Sequence, residues 1–171
     1  RYNFSSDYDL ILKVLKYFEI THVNKNFTVF RQHAKSITVT MRERMIEEKK
    51  PGVFCNISTT YANTGSGYVL PSSIAKAGCD NMTKSLAAEW GQYGIRLFSV
   101  APGPIYTEGA FSRLDPTGNF QKEIINKLPM GRLGEKEELA NFITFLTSDY
   151  CNWLTGQVIN FDGGEVVGNS G

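Results

Sequence analysis

Three short apolar runs, Val53–Ser58 (VFCNIS), Ile95–Ala101 (IRLFSVA) and Gln157–Phe161 (QVINF), are separated by segments of helical length and period. That alternation constrains the fold more than any other feature. Runs this short, apolar and β-branched, read as strands covered on both faces. Such strands pair in parallel through crossover helices. The intervening segments have that form. Pro71–Trp90 starts with proline at a first helical position, followed by Ser72 and Ser73, and ends at Gly91 and Gly94. Phe120–Lys127 reads as a short helix. Glu135–Ser148 reads as an amphipathic helix with Leu139, Phe142, Ile143 and Leu146 turned inward. The expectation is an α/β chain with a parallel, doubly wound sheet.

The front of the chain is of another kind. Asp7–Ile20 has Leu10, Ile11, Val14, Leu15 and Phe18 at helical spacing. Phe27–Glu48 reads as a longer helix, weakened by Thr38-Val39-Thr40 and stopped at Lys49-Lys50-Pro51-Gly52. All 16 glycines lie at or after Gly52. Residues 1–51 therefore hold neither form of glycine-rich phosphate loop, G-x-G-x-x-G or G-x-x-x-x-G-K. The 171 residues fit one domain, with 1–51 an atypical helical segment ahead of 52–171. A net charge of +1 points away from a nucleic-acid partner. Cys55, Cys79 and Cys151 are scattered, which suits a reduced intracellular protein with no metal site. No apolar run is long enough to span a bilayer. The start, RYNFSSDYDL, is not a signal peptide and lacks Met, so the natural N-terminus is expected further upstream.

The residues with chemical potential cluster after the first strand, in STTYANTGSGYVLPSSIAKAG (Ser58–Gly78). Ser72 and Lys76 are one helical turn apart and share a face. Tyr61 reaches Lys76 only if the loop between them folds back over the helix start. A phenol brought beside an ammonium has its ionised form favoured, which makes a proton-transfer pair. Plainer readings stand alongside. An isolated Tyr or Lys is usually a surface residue. Ser72 reads equally as a helix cap. Arg113 has the plainer reading of a solvated loop residue, and Tyr68 is a rival phenol closer in sequence to Lys76. Asp162-Gly163-Gly164 reads as a turn.

These motifs together resemble the short-chain dehydrogenase/reductase family. Val100–Thr107 (VAPGPIYT) is similar to that family's P-G-x-I/V-x-T nicotinamide turn. Leu154–Gly164 (LTGQVINFDGG) is similar to its C-terminal T-G-x-x-x-x-x-D-G-G signature, and Leu86–Arg96 (LAAEWGQYGIR) is typical of it. The usual member has tyrosine four residues before the lysine, where this chain has Ser72. A serine there with the tyrosine at Tyr61 resembles the 2,4-dienoyl-CoA reductases, the mitochondrial branch more than the peroxisomal one. The resemblance implies a Rossmann-like fold and NADPH-dependent reduction of 2,4-dienoyl-CoA to 3-enoyl-CoA in unsaturated fatty acid β-oxidation. It implies Tyr61 as proton donor, Lys76 on the nicotinamide ribose and Ser72 as the residue that holds them. It further implies Pro102, Gly103, Pro104 and Ile105 against the nicotinamide, and Arg113 on the CoA portion. The mitochondrial matrix and a homotetramer follow from the same resemblance. Phe27–Glu48 and Pro71–Trp90 would then pack between subunits, with Ala75, Gly78, Ala87 and Ala88 allowing close approach. It covers about Cys55–Gly164 and omits the family's N-terminal Gly-rich βαβ half, so a part of a longer enzyme is expected. A different short-chain carbonyl reductase, using Tyr61 or Tyr68, and a non-catalytic assembly remnant are the other readings.

Overall fold

In the computed structural model, residues 27–28, 45–48, 51–107 and 119–168 are described. The helix expected over Asp7–Ile20 and the residue Arg113 lie outside them. The strands are β1 (Phe27–Thr28), β2 (Gly52–Ile57), β3 (Ile95–Pro102) and β4 (Gln157–Phe161). They form one sheet in the order β1-β2-β3-β4, and each neighbouring pair is parallel. The helices are α1 (Tyr61–Thr64), α2 (Leu70–Trp90), α3 (Asn119–Lys127), α4 (Lys136–Thr147) and α5 (Glu165–Gly168).

Successive strand residues point to opposite faces, and the core divides accordingly. Val53, Cys55, Phe98 and Val100 pack with Leu139, Ile143 and Leu146 of α4. Phe54, Ile95 and Leu97 pack with Ala87 and Trp90 of α2 and with Met45. The two clusters lie on the two faces of β2 and β3. This is why these strands carry apolar residues on both faces rather than alternating, and it makes the sheet doubly wound. Phe54 meets Trp90 edge to face at 5.7 Å, and Phe142 stacks on Phe161 at 5.1 Å.

The structure departs from the sequence expectation in three places. The helix expected over Phe27–Glu48 does not begin at Phe27. Phe27 and Thr28 form β1, in register with Val53 and Phe54. Phe27-Thr28-Val29-Phe30 is aromatic and β-branched, which suits a strand, and the open edge of β2 has backbone groups to satisfy. Residues 45–47 are helical, and Met45 is buried against the place a Gly52 side chain would occupy. The stretch after β2, read as a loop, contains α1. Ala87, expected to allow close approach between subunits, is buried beneath the sheet instead and faces Gly156.

Candidate active site

The carboxyl ends of β2 and β3 and the start of α2 converge. The Lys76 ammonium donates to the Ile57 carbonyl at 2.7 Å. The chain then turns through α1 and returns past Gly65, whose φ of 71° is open to glycine at no steric cost. The Ser73 hydroxyl donates to the Tyr61 carbonyl at 3.0 Å, drawing α1 onto the first turn of α2. The Tyr61 Oη lies 3.1 Å from the Ser72 Oγ, within hydrogen-bond reach. The return of the loop over the helix start, which the sequence required for Tyr61, is thus present. Tyr68 is fully exposed, with a φ of 64°.

Pro102–Ile105 leaves the end of β3 as a rigid turn. The Gly103 N–H donates to the Phe161 carbonyl at 3.1 Å, and a Cβ at Gly103 would fall 2.8 Å from the Cα of Asp162. Gly103 therefore approaches the turn that follows β4 closely. The Pro104 carbonyl accepts from the Gly134 N–H at 3.0 Å, which ties the turn to the segment leading into α4. Asp162 closes the other side. Its two oxygens accept from the Gly164 and Val166 N–H groups, each at 3.0 Å. This is the turn the sequence indicated.

Several site residues were not singled out in the sequence. The Ser58 hydroxyl donates to Asp80 Oδ2 at 2.8 Å, and both residues are buried. Asp80 is one turn beyond Lys76, so helical period alone would have placed it on the same face. The Thr60 hydroxyl donates to Glu165 Oε2 at 2.9 Å across 105 residues, a contact no local pattern could reveal. Burial raises the Glu165 carboxyl above its usual range, the Thr60 hydrogen bond opposes the rise, and Asp162 adds to it. Below the site, the Asn56 amide and Thr83 hydroxyl meet at 2.7 Å, and Thr83 meets Ser99 at 2.9 Å. These bonds fix α2 to both central strands. The Cys55 thiol is pushed up to about 12 by burial, so it is no nucleophile at neutral pH.

A parallel, doubly wound sheet with its polar side chains gathered at the strands' carboxyl ends is the class of scaffold that binds nucleotides at that edge. The family model described as enoyl-(acyl carrier protein) reductase matches residues 18–165. The chain belongs to the short-chain dehydrogenase/reductase family. It is 44% identical over 134 residues to an uncharacterised oxidoreductase of Caenorhabditis elegans, covering 75% of this chain and 42% of that protein. It is 39% identical over 138 residues to a probable (3E)-enoyl-CoA-producing 2,4-dienoyl-CoA reductase of the same organism, covering 80% and 45%. A putative 2-deoxy-D-gluconate 3-dehydrogenase from Agrobacterium tumefaciens, solved with bound NADP, superposes with a TM-score of 0.71 at 30% identity, covering 76% and 52%. The chain spans less than half the length of the two C. elegans relatives.

The family implies a nicotinamide cofactor. The nicotinamide end fits the described residues. Lys76 carries three donors at the end of β2, and Pro102–Ile105 offers a fixed, half-buried turn at the end of β3. For the phosphates, residues 1–51 contain no glycine. Among the described residues, no helix is long and apolar enough to cross a membrane, and no group of three His, Cys, Asp or Glu could hold a metal ion.

Proposed function

We propose that this chain is the C-terminal catalytic part of an NADPH-dependent 2,4-dienoyl-CoA reductase, converting a conjugated 2,4-dienoyl thioester to the 3-enoyl thioester. One observation carries the reading: the Tyr61 hydroxyl sits 3.1 Å from Ser72, and Ser72 stands one turn before Lys76. NADPH, when bound, would supply a hydride to the far end of the diene. Tyr61 Oη holds the thioester oxygen, where charge develops, and delivers a proton to the carbon next to the carbonyl. Ser72 orients that hydroxyl. Lys76 binds the nicotinamide ribose. Pro102, Gly103, Pro104 and Ile105 line the nicotinamide. Arg113 meets the anionic CoA portion, a task suited to guanidinium. Self-association through α2 into a homotetramer, and a place in β-oxidation in the mitochondrial matrix, belong to the same reading.

The test is NADPH oxidation, followed spectrophotometrically, by the protein that carries this chain. With a dienoyl-CoA substrate, Tyr61→Phe is expected to lower kcat by about 10²–10⁴-fold, the range for a positioned acid or base. Full turnover by Tyr61→Phe, or a clear preference for a simple ketone over the dienoyl thioester, would overturn the reading. The ketone outcome would make the protein another short-chain carbonyl reductase.

A further inference from the structure

An ammonium on a flexible four-carbon stem is placed only by what it donates to. For Lys76 one acceptor, at 2.7 Å, is the Ile57 carbonyl. Ile57 is the last residue of β2, and Ser58 lies beyond the strand. Other bonds therefore fix the peptide joining them. The Ser58 N–H donates to the Val100 carbonyl at 2.7 Å, and the Ser58 hydroxyl donates to Asp80 Oδ2 at 2.8 Å. Ser58 is 1% exposed and Asp80 4%. Asp80 and Lys76 are four residues apart on α2. The helix thus grips the strand end with one side chain and moors its ammonium there with the other.

Asp80 Oδ1 is buried with no hydrogen-bond partner among the described residues. A buried polar atom left unpaired is unfavourable, so the bond from the Ser58 hydroxyl to the other oxygen, Oδ2, is held at a cost. We propose that Ser58 and Asp80 are positioning residues for Lys76: they fix the Ile57–Ser58 peptide and so the point from which the ammonium works. The value of this for catalysis rests on the reading above, in which Lys76 serves the reaction. The placement itself does not.

Nuclear magnetic resonance of the chain carrying isotope-labelled lysine tests it, with the Lys76 signal assigned by its loss in Lys76→Arg. A moored lysine has two inequivalent ε-methylene protons, and a free one has an averaged pair. The splitting is expected in the parent and lost in Ser58→Ala and Asp80→Ala. It is expected to persist in Thr155→Val, which removes a hydroxyl bonded to the Leu97 N–H at 3.0 Å and so reports general destabilisation. A parent without splitting, retention in both alanine variants, or loss in Thr155→Val as well would overturn the proposal. In the dienoyl-CoA assay, Ser58→Ala is expected to lose about 10–100-fold in kcat at unchanged KM, since small misplacements are penalised on that scale. If Lys76→Met keeps full turnover, the reaction reading fails and the resonance result still decides the positioning.

Discussion

Glu165 holds its proton more tightly in the folded chain than in the unfolded one, because burial disfavours its charge. The folded state therefore binds more protons over the interval above the ordinary value of 4.5, and stability falls as pH rises through the folded value. Glu165→Gln keeps an oxygen for the Thr60 hydroxyl and carries no charge at any pH. Thermal melts should show the two proteins alike well below pH 4.5, with the glutamine variant more stable at neutral pH. An equal gap at all pH values would show that the carboxyl is not strained by burial. Cys55 gives a second test at this scale. With its thiol near 12 and the residue 1% exposed, a folded chain at neutral pH should alkylate at Cys79 or Cys151 and spare Cys55 until denatured. Mass mapping of the modified peptides reads this directly.

Arg96 is an element-scale device. It stands near the start of β3, buried between Ile95 and Leu97, and it donates to the carbonyls of Leu146, Thr147, Ser148 and Leu154 at 3.1–3.3 Å. Three of these lie at the end of α4, where helical carbonyls have no internal partner and a cation is favoured. One side chain on β3 therefore closes α4 and holds the start of the run to β4. Arg96→Met keeps most of the apolar stem and removes every donor. It should lose about 2–3 kcal/mol in urea unfolding, more than a single neutral hydrogen bond is worth. A loss within ~0.5 kcal/mol, typical of a surface change, would mean that water serves those carbonyls equally well. Arg96 also marks a limit on what the sequence reveals. The bounds of β2, α2, β3, α3, α4 and β4 follow within about a residue from apolar period and glycine or proline stops, because those signals are local. The partners of Arg96 are 50 or more residues away. β1 depends on the edge of β2, and α1 depends on Ser73. Within the site, Ser72 and Lys76 are legible from helical spacing. Tyr61 is legible only through its resemblance to a family pattern, and the Thr60–Glu165 contact is not legible at all.

At the scale of the whole molecule, the outer face of α2 has no partner among the described residues. Leu70 and Ile74 are 67% and 64% exposed and one turn apart. One turn further on, a Cβ at Gly78 would meet nothing within 4 Å. The opposite face of the same helix is committed, since Asp80, Thr83, Ala87 and Trp90 are buried. An apolar, small-residue stripe on a helix whose other side is fixed to the sheet suits a second copy of the same chain related by a two-fold axis. A stable interface of that kind buries about 800 Å² on each partner, so the helix would meet its symmetry mate along much of its length. Sedimentation velocity is expected to show a species heavier than the 19.1 kDa chain. Leu70→Glu with Ile74→Glu should reduce it to the single chain without loss of far-ultraviolet helical signal. A second exposed apolar group, Tyr150 and Trp153 at 90% and 100%, follows α4 in the chain and provides the comparison. If Tyr150→Ser with Trp153→Ser dissociates the assembly while the α2 pair leaves it intact, the contact lies at that end of the sheet. The face of α2 would then be open to solvent, and Ser72 and Lys76 would be held by the sheet and α1 alone.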